Sequence, residues 1–248
     1  ASYSPRLHSF VFKILELKHT YSFIEALSID PKIFIKYDGL NVTNPFKTSI
    51  INYLHNMDNV AHKTQSVNCV KIKNNILHGF NTDYFGFSKS LEINNINLSN
   101  MRIAVLGAGG VSATICTYLL DNNLNFKVIN RTPSNSLKLK DRIKFKNNQI
   151  QNLDLVDKNS FDVIINCLPV TVNISKFLES LHLDIGNVEQ FIDLNYNSKL
   201  SNLGINANNL IDGTDMLIFQ ALKSIEIWID KNILQIVDYQ IIRDHIRK

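Results

Sequence analysis

Two rhythms of apolar and polar positions divide this chain. Over the first ninety or so residues the apolar stretches are short and irregularly spaced. From residue 102 onward, runs of consecutive apolar residues alternate with stretches at helical spacing. In the first part, Leu7, Phe10, Val11, Ile14 and Leu15 follow Ser4-Pro5 and predict a capped helix with proline at its first position. Residues 21–24 and 40–42 read as short buried strands, and helical spacing returns over 46–54. Residues 67–72 and 76–80, separated by Lys73-Asn74-Asn75, predict a hairpin, and a helix should begin near Thr82 and run to about Leu91.

The polar stretch "EINNINLSN" that follows lacks periodicity and reads as a domain linker. Residues 102–106 then predict a buried strand, 107–110 a glycine cluster, 111–120 a helix and 126–129 another strand. Further strands at 163–165 and 191–194 alternate with helical stretches, and 216–229 and 233–246 predict two closing helices. This alternation predicts an α/β fold, with a doubly wound parallel sheet carrying helices on both faces.

Composition narrows the function classes. The 248 residues suffice for one large domain or two modest ones, and 45% hydrophobic with 19% charged residues is the balance of a soluble globular protein. No apolar run approaches the roughly 20 residues of a membrane helix, so no membrane association is expected. The net charge of +4 is carried by scattered lysines without a basic, aromatic-interleaved stripe, which argues against a nucleic-acid partner. Cys69, Cys116 and Cys167 form no CxxC pair and have no histidine at ligand spacing, so no metal is expected, and a reducing, cytoplasmic location fits. Glycine is scarce, at 9 residues, so its positions are informative.

In "RIAVLGAGGVSA", Gly107 and Gly109 end an apolar strand and open a helix, a turn that lets backbone amides approach a pyrophosphate. A tight structural turn is the alternative. Ser112 stands where the common fingerprint has Gly or Ala, and keeps the position small. The next strand ends in Asn130-Arg131-Thr132 with no acidic residue. A carboxylate there would bond the ribose hydroxyl of NAD, whereas a guanidinium beside a hydroxyl suits the 2′-phosphate of NADP. A solvated arginine is the plainer reading. In "GFNTDYFGF", Asp83 falls where a strand hands over to a helix, with Thr82 as the candidate cap; by itself it could simply favour the helix dipole. Lys47, after Pro45 in "LNVTNPFK", could be a solvated lysine, and Asn41 and Thr43 could be turn residues around the proline. His8 and His182 lie in helix-like stretches and read as packing or surface residues.

Taken together, "NVTNPFK", "VNCV", "GFNTD", "GAGG", "NRT" and "DGTDMLIFQALKSIEIW" resemble, in order, the motifs of the shikimate dehydrogenase family. The resemblance implies an N-terminal α/β substrate domain, 1–93, completed by 216–248, and a Rossmann-type NADP-binding domain, 94–215. It implies NADPH-dependent reduction of 3-dehydroshikimate to shikimate, a step in aromatic biosynthesis. Lys47 and Asp83 would be the catalytic pair. Ser2 and Ser4 would hold the substrate carboxylate, Thr43, Asn68 and Gln220 the ring hydroxyls, and Tyr196 would line the same pocket. Gly107, Gly109, Gly110, Asn130, Arg131 and Thr132 would hold NADP. A homodimer is the assembly to test.

The chain departs from the pattern in places. It begins at "ASYSP", inside the family's GxPIxHSxSP motif, so that the first strand and preceding His have no counterpart, and its segment between Tyr21 and Asn41 is short. Either a trimmed domain or part of a longer product is implied. Gln65 and Cys69 replace a glycine and a threonine, and "NCLPVTVN" lacks a usual methionine. The competing readings are a quinate/shikimate dehydrogenase and a non-catalytic ligand-binding relative.

Overall fold

A hairpin sets the first sheet. The computed structural model describes residues 2–151, 161–181, 185, 188–196 and 210–248. Two units divide the chain, Ala1–Ile93 with Asp215–Lys248, and Asn94–Thr214. The first opens with α1 (Ser4–Ile14), β1 (Gly39–Asn41), α2 (Phe46–Ser49), β2 (Asn56–Met57), α3 (Asn59–Thr64), β3 (Cys69–Lys73), β4 (Ile76–Phe80) and α4 (Thr82–Ile93). Strands β3 and β4 pair from Cys69↔Phe80 to Lys73↔Ile76. Their turn is Asn74-Asn75, both at positive φ (52° and 62°), the left-handed geometry that a two-residue hairpin turn demands and asparagine tolerates. The sheet order is β1-β3-β4-β2, with β2 parallel to β4 and the other pairs antiparallel.

The second unit contains β5 (Ile103–Leu106), α5 (Gly110–Asp121), β6 (Phe126–Ile129), α6 (Pro133–Ile143), β7 (Ile150–Gln151), β8 (Val163–Asn166), α7 (Ile174–Ser180), β9 (Gln190–Asp193) and β10 (Leu210–Ile211). All neighbours in the order β10-β9-β8-β5-β6-β7 are parallel. Every residue of β5 and β8 is buried, which is why both read as continuous apolar runs rather than alternating ones. The chain winds outward from β5 through β6 and β7, then resumes at β8 on the other side of β5. This reversal creates a switch point at the carboxyl ends of β5 and β8, where open α/β sheets bind ligands.

Two helices, α8 (Thr214–Ile229) and α9 (Tyr239–Arg247), close the chain. Their apolar residues, including Ile218, Leu222, Ile225, Ile242 and Ile246, share a core with Leu7, Val11 and Phe12 of α1. The end of the sequence therefore completes the first unit. Among the described residues no helix is long and apolar enough to cross a membrane.

The expected α/β architecture is present, and three local expectations are corrected. Residues 21–24 form no strand: they pair with nothing in the sheet, and Phe23 and Ile24 are 61% and 43% exposed. The last helix starts at Tyr239 rather than near Ile233, because the amides of Ile236 and Val237 both turn back to the Ile233 carbonyl and Asp238 caps a new helix through the Gln240 amide. The cap of α4 is Asn81, whose Oδ1 accepts from the Tyr84 amide at 3.2 Å, and not Thr82. His8 is buried within the first unit; His182 lies outside the described residues.

Candidate active site

The first unit brings Lys47, Asn68, Asp83 and Gln220 into one polar cluster. Lys47 enters on the first turn of α2, which is tied down by its own backbone carbonyl accepting from the Val67 amide at 2.8 Å. Its Nζ lies 2.6 Å from Asp83 Oδ2, and the two side chains are 14% and 9% exposed. Asp83 sits in the first turn of α4, directly after β4. Asn68 is fixed between strands: its amide donates to Phe80 O (3.1 Å) and its carbonyl accepts from Val42 N (2.8 Å). From there its Nδ2 reaches Asp83 Oδ1 at 2.9 Å. Each carboxylate oxygen of Asp83 thus faces a donor, which orients the group and aims the Lys47 ammonium.

Gln220 arrives on α8, with its Oε1 3.3 Å from Asn68 Nδ2. The approach depends on Gly86, one turn beyond Thr82 and Asp83 on α4. A β-carbon there would meet Met216 O at 2.6 Å and Gln220 Cβ at 3.0 Å.

The remaining substrate candidates are placed as follows. Ser4 opens α1, and the exposed Ser2 accepts from the Ser4 amide at 3.2 Å. Thr43 is exposed in the turn before α2, where its carbonyl accepts from Phe46 N at 2.9 Å. Tyr196 belongs to the second unit, half-buried after β9, and is not among the first-unit residues just described.

Three polar residues to which the sequence reading gave no part in this cluster also join it. Asn41 Nδ2 donates to Ser224 Oγ (3.0 Å) and to Asn68 O (3.2 Å), and its Oδ1 accepts from Tyr21 OH (3.2 Å). Burial pushes the Tyr21 phenol up to about 12, with the nearby Cys69 adding to the effect and a hydrogen bond with the Ser4 side chain opposing it. Ser224 stands one helical turn beyond Gln220, a spacing that already places the two on one face of a helix. Tyr21 carried no such signal, because its segment has neither period.

In the second unit the glycine turn occupies the switch point. Gly107 has φ +103°, a left-handed conformation suited to glycine, and its amide donates to Ile129 O at 2.8 Å. Gly109 caps α5, and Gly110 is that helix's first residue. A β-carbon at Gly109 would meet nothing within 4 Å, so the mouth of the turn is open. Ser112 supplies a bond that a glycine or alanine would not, accepting from the Gly109 amide at 3.1 Å. The second strand end is built by Asn130, whose Nδ2 donates to Thr132 O at 2.8 Å. Arg131 and Thr132 are exposed there, and the Thr132 side chain makes no capping bond to α6, leaving a guanidinium and a hydroxyl at the end of β6. Buried Asn166 and Asp193, the last residues of β8 and β9, join those strand ends through a 2.9 Å side-chain bond from Asn166 Nδ2 to Asp193 Oδ1. An open glycine turn with a cationic, carboxylate-free neighbouring strand end fits a 2′-phosphorylated dinucleotide.

A doubly wound sheet with this turn, and a separate α/β unit holding a lysine–carboxylate pair, define a dehydrogenase of the dinucleotide-binding class. The family model described as the shikimate dehydrogenase substrate binding domain matches residues 1–70, and that of shikimate / quinate 5-dehydrogenase matches residues 89–178. The chain is 31% identical over 240 residues to the shikimate dehydrogenase (NADP(+)) of Clostridium beijerinckii, covering 92% of this chain and 87% of that protein. It is 30% identical over 250 residues to that of Methanosphaera stadtmanae, covering 93% and 88%. The crystal structure of shikimate dehydrogenase 1 from Peptoclostridium difficile superposes with a TM-score of 0.78 at 29% identity, over 99% of this chain and 92% of the other. The chain belongs to the shikimate dehydrogenase family.

Proposed function

We propose that this protein catalyses the reversible, NADPH-dependent reduction of 3-dehydroshikimate to shikimate, with Lys47 and Asp83 as the reacting pair. The observation that carries the assignment is the little-exposed Lys47–Asp83 contact at 2.6 Å, with Asn68 on the other carboxylate oxygen. In the reducing direction, the carbonyl oxygen of the substrate gains negative charge. The Lys47 ammonium stabilises that charge and delivers the proton that converts it to a hydroxyl. Asp83 holds the ammonium in place, and in the oxidising direction the lysine amine takes the proton back. NADPH, when bound, supplies the hydride.

Ser2 and Ser4 would hold the substrate carboxylate, and Thr43, Asn68 and Gln220 the ring hydroxyls. Tyr196, in the second unit, is a further candidate substrate contact. A site built from hydroxyl and amide groups rejects analogues lacking a substrate hydroxyl, because its own polar groups are then left unpaired. Gly107, Gly109 and Gly110 would hold the pyrophosphate, and Asn130, Arg131 and Thr132 the 2′-phosphate. Cys69, Cys116 and Cys167 are free and buried, which supports a reducing, cytoplasmic setting.

The test is purified protein with shikimate and NADP⁺, followed by nicotinamide absorbance and repeated with quinate and with NAD⁺. Turnover with shikimate and NADP⁺ above the other combinations is expected. Absence of turnover in all four would overturn the assignment.

A further inference from the structure

Asn68 is clamped by a single residue through both ends of its side-chain amide. Thr82 N donates to Asn68 Oδ1 at 2.7 Å, and Thr82 Oγ1 lies 2.9 Å from Asn68 Nδ2. A backbone N–H can only donate, so the first contact fixes which end of the amide is oxygen and places the NH₂ toward Thr82 Oγ1, Asp83 and Gln220. The directions of the other hydrogens follow. Ser224 Oγ donates to Gln220 O at 2.9 Å, so toward Asn41 Nδ2 (3.0 Å) and Thr82 Oγ1 (3.2 Å) it is an acceptor. The Thr82 hydroxyl has two acceptors in reach, Ser224 Oγ at 3.2 Å and the more distant Gln220 Oε1 at 3.5 Å; it sends its proton to the nearer, Ser224, and offers a lone pair to Asn68 Nδ2. One amide hydrogen is then held by Thr82, and the other is left for Asp83 Oδ1 at 2.9 Å or Gln220 Oε1 at 3.3 Å. Thr82, Asn68 and Ser224 are 2%, 2% and 0% exposed, so water does not substitute for any of these bonds cheaply.

We propose that Thr82 is a positioning residue for the reaction: its hydroxyl, polarised by Ser224, locks the Asn68 amide so that it donates to Asp83 and holds the carboxylate that aims Lys47. The proposal rests on the assignment of Lys47 and Asp83 above, and its tests separate the two. Thr82→Val keeps the shape and removes the hydroxyl; Thr82→Ser restores it. The loss of one such bond corresponds to about a tenfold effect. Thr82→Val should lower kcat for 3-dehydroshikimate about tenfold, with the KM for NADPH within twofold of wild type, and Thr82→Ser should recover most of the loss. A Thr82→Val enzyme with kcat within twofold of wild type, or a Thr82→Ser enzyme as impaired as Thr82→Val, overturns the clamp. Should Thr82→Val not fold, Ser224→Ala removes the nearer acceptor for the Thr82 proton, together with the Ser224 bonds to Asn41 Nδ2 and Gln220 O, while leaving the Thr82 hydroxyl in place. A kcat lowered about threefold then supports the proposal, and an unchanged kcat overturns it. Hydrogen exchange at the Asn68 side-chain NH₂, read by NMR in the intact protein, requires no turnover. Slow exchange in wild type that accelerates in Thr82→Val, or in Ser224→Ala, supports the clamp even if the wild type reduces no substrate. Equal rates overturn it.

Discussion

Gly86 on α4 passes so close to Met216 on α8 that a β-carbon at Gly86 would stand 2.6 Å from the Met216 carbonyl oxygen. The obstacle is backbone, which cannot swing away as a side chain can. Gln220, whose Cβ would be 3.0 Å from the added carbon, is carried on the same helix. Gly86→Ala should destabilise the protein by about 2 kcal/mol, the range of overpacking, despite alanine's better helix propensity. It should also lower kcat/KM, because α8 moves with Gln220. Chemical denaturation and steady-state kinetics on one preparation check both effects. A variant as stable as wild type would show that the helices separate without cost.

Lys47→Met removes the proton donor while keeping an unbranched side chain. It should lower kcat by a factor of about 10² to 10⁴, the ordinary contribution of a positioned acid or base, while shikimate still binds. It also leaves the Asp83 carboxylate, 9% exposed, without its ammonium partner. Removing one member of a buried pair costs more than removing both. Adding Asp83→Asn should therefore recover part of the stability lost in Lys47→Met without recovering turnover. Equal denaturation midpoints for the single and double variants would contradict this.

The second unit was the more legible part of the chain. Consecutive burial of β5 and β8 leaves unbroken apolar runs, and the glycines of the turn stand out in a chain with few of them. In the first unit, Lys47 and Asp83 were each ambiguous alone, since a lysine after a proline and an acid in a helix's first turn have ordinary explanations. Only the fold places their side chains together across 36 positions. Asn41 and Ser224, 183 positions apart, meet through side-chain hydrogen bonds that have no period and leave no pattern in the sequence. Residues 21–24 misled for the converse reason: an apolar run predicts burial, and here Phe23 and Ile24 are exposed with no partner strand.

Arg131→Ala tests the cofactor reading. The exposed guanidinium at the end of β6 would pair with the 2′-phosphate, and loss of charge-assisted bonds of about 1.5–3 kcal/mol corresponds to roughly 10- to 100-fold in affinity. The KM for NADP⁺ should rise by that order, and the KM for NAD⁺, which lacks the phosphate, should change little. An equal loss with both cofactors would place Arg131 elsewhere in the site.

His8 should make the protein acid-sensitive. Its ring is fully buried, stacked on Tyr21 at 4.0 Å between centroids, with Nδ1 2.8 Å from Ser4 O and Nε2 buried without a partner. Burial lowers its pKa from 6.5 to about 4, and the bond to the Ser4 carbonyl opposes the shift only in part. Between these values the unfolded chain binds a proton that the folded chain refuses. Stability is therefore full above about pH 6.5, falls as the pH drops toward 4, and levels off below, with a total loss on the order of 3 kcal/mol. Urea midpoints at pH 7.5 and 4.5 should therefore differ more in wild type than in His8→Asn, which keeps a short donor for Ser4 O but does not titrate. Parallel pH dependences for the two proteins would assign the acid sensitivity to other groups.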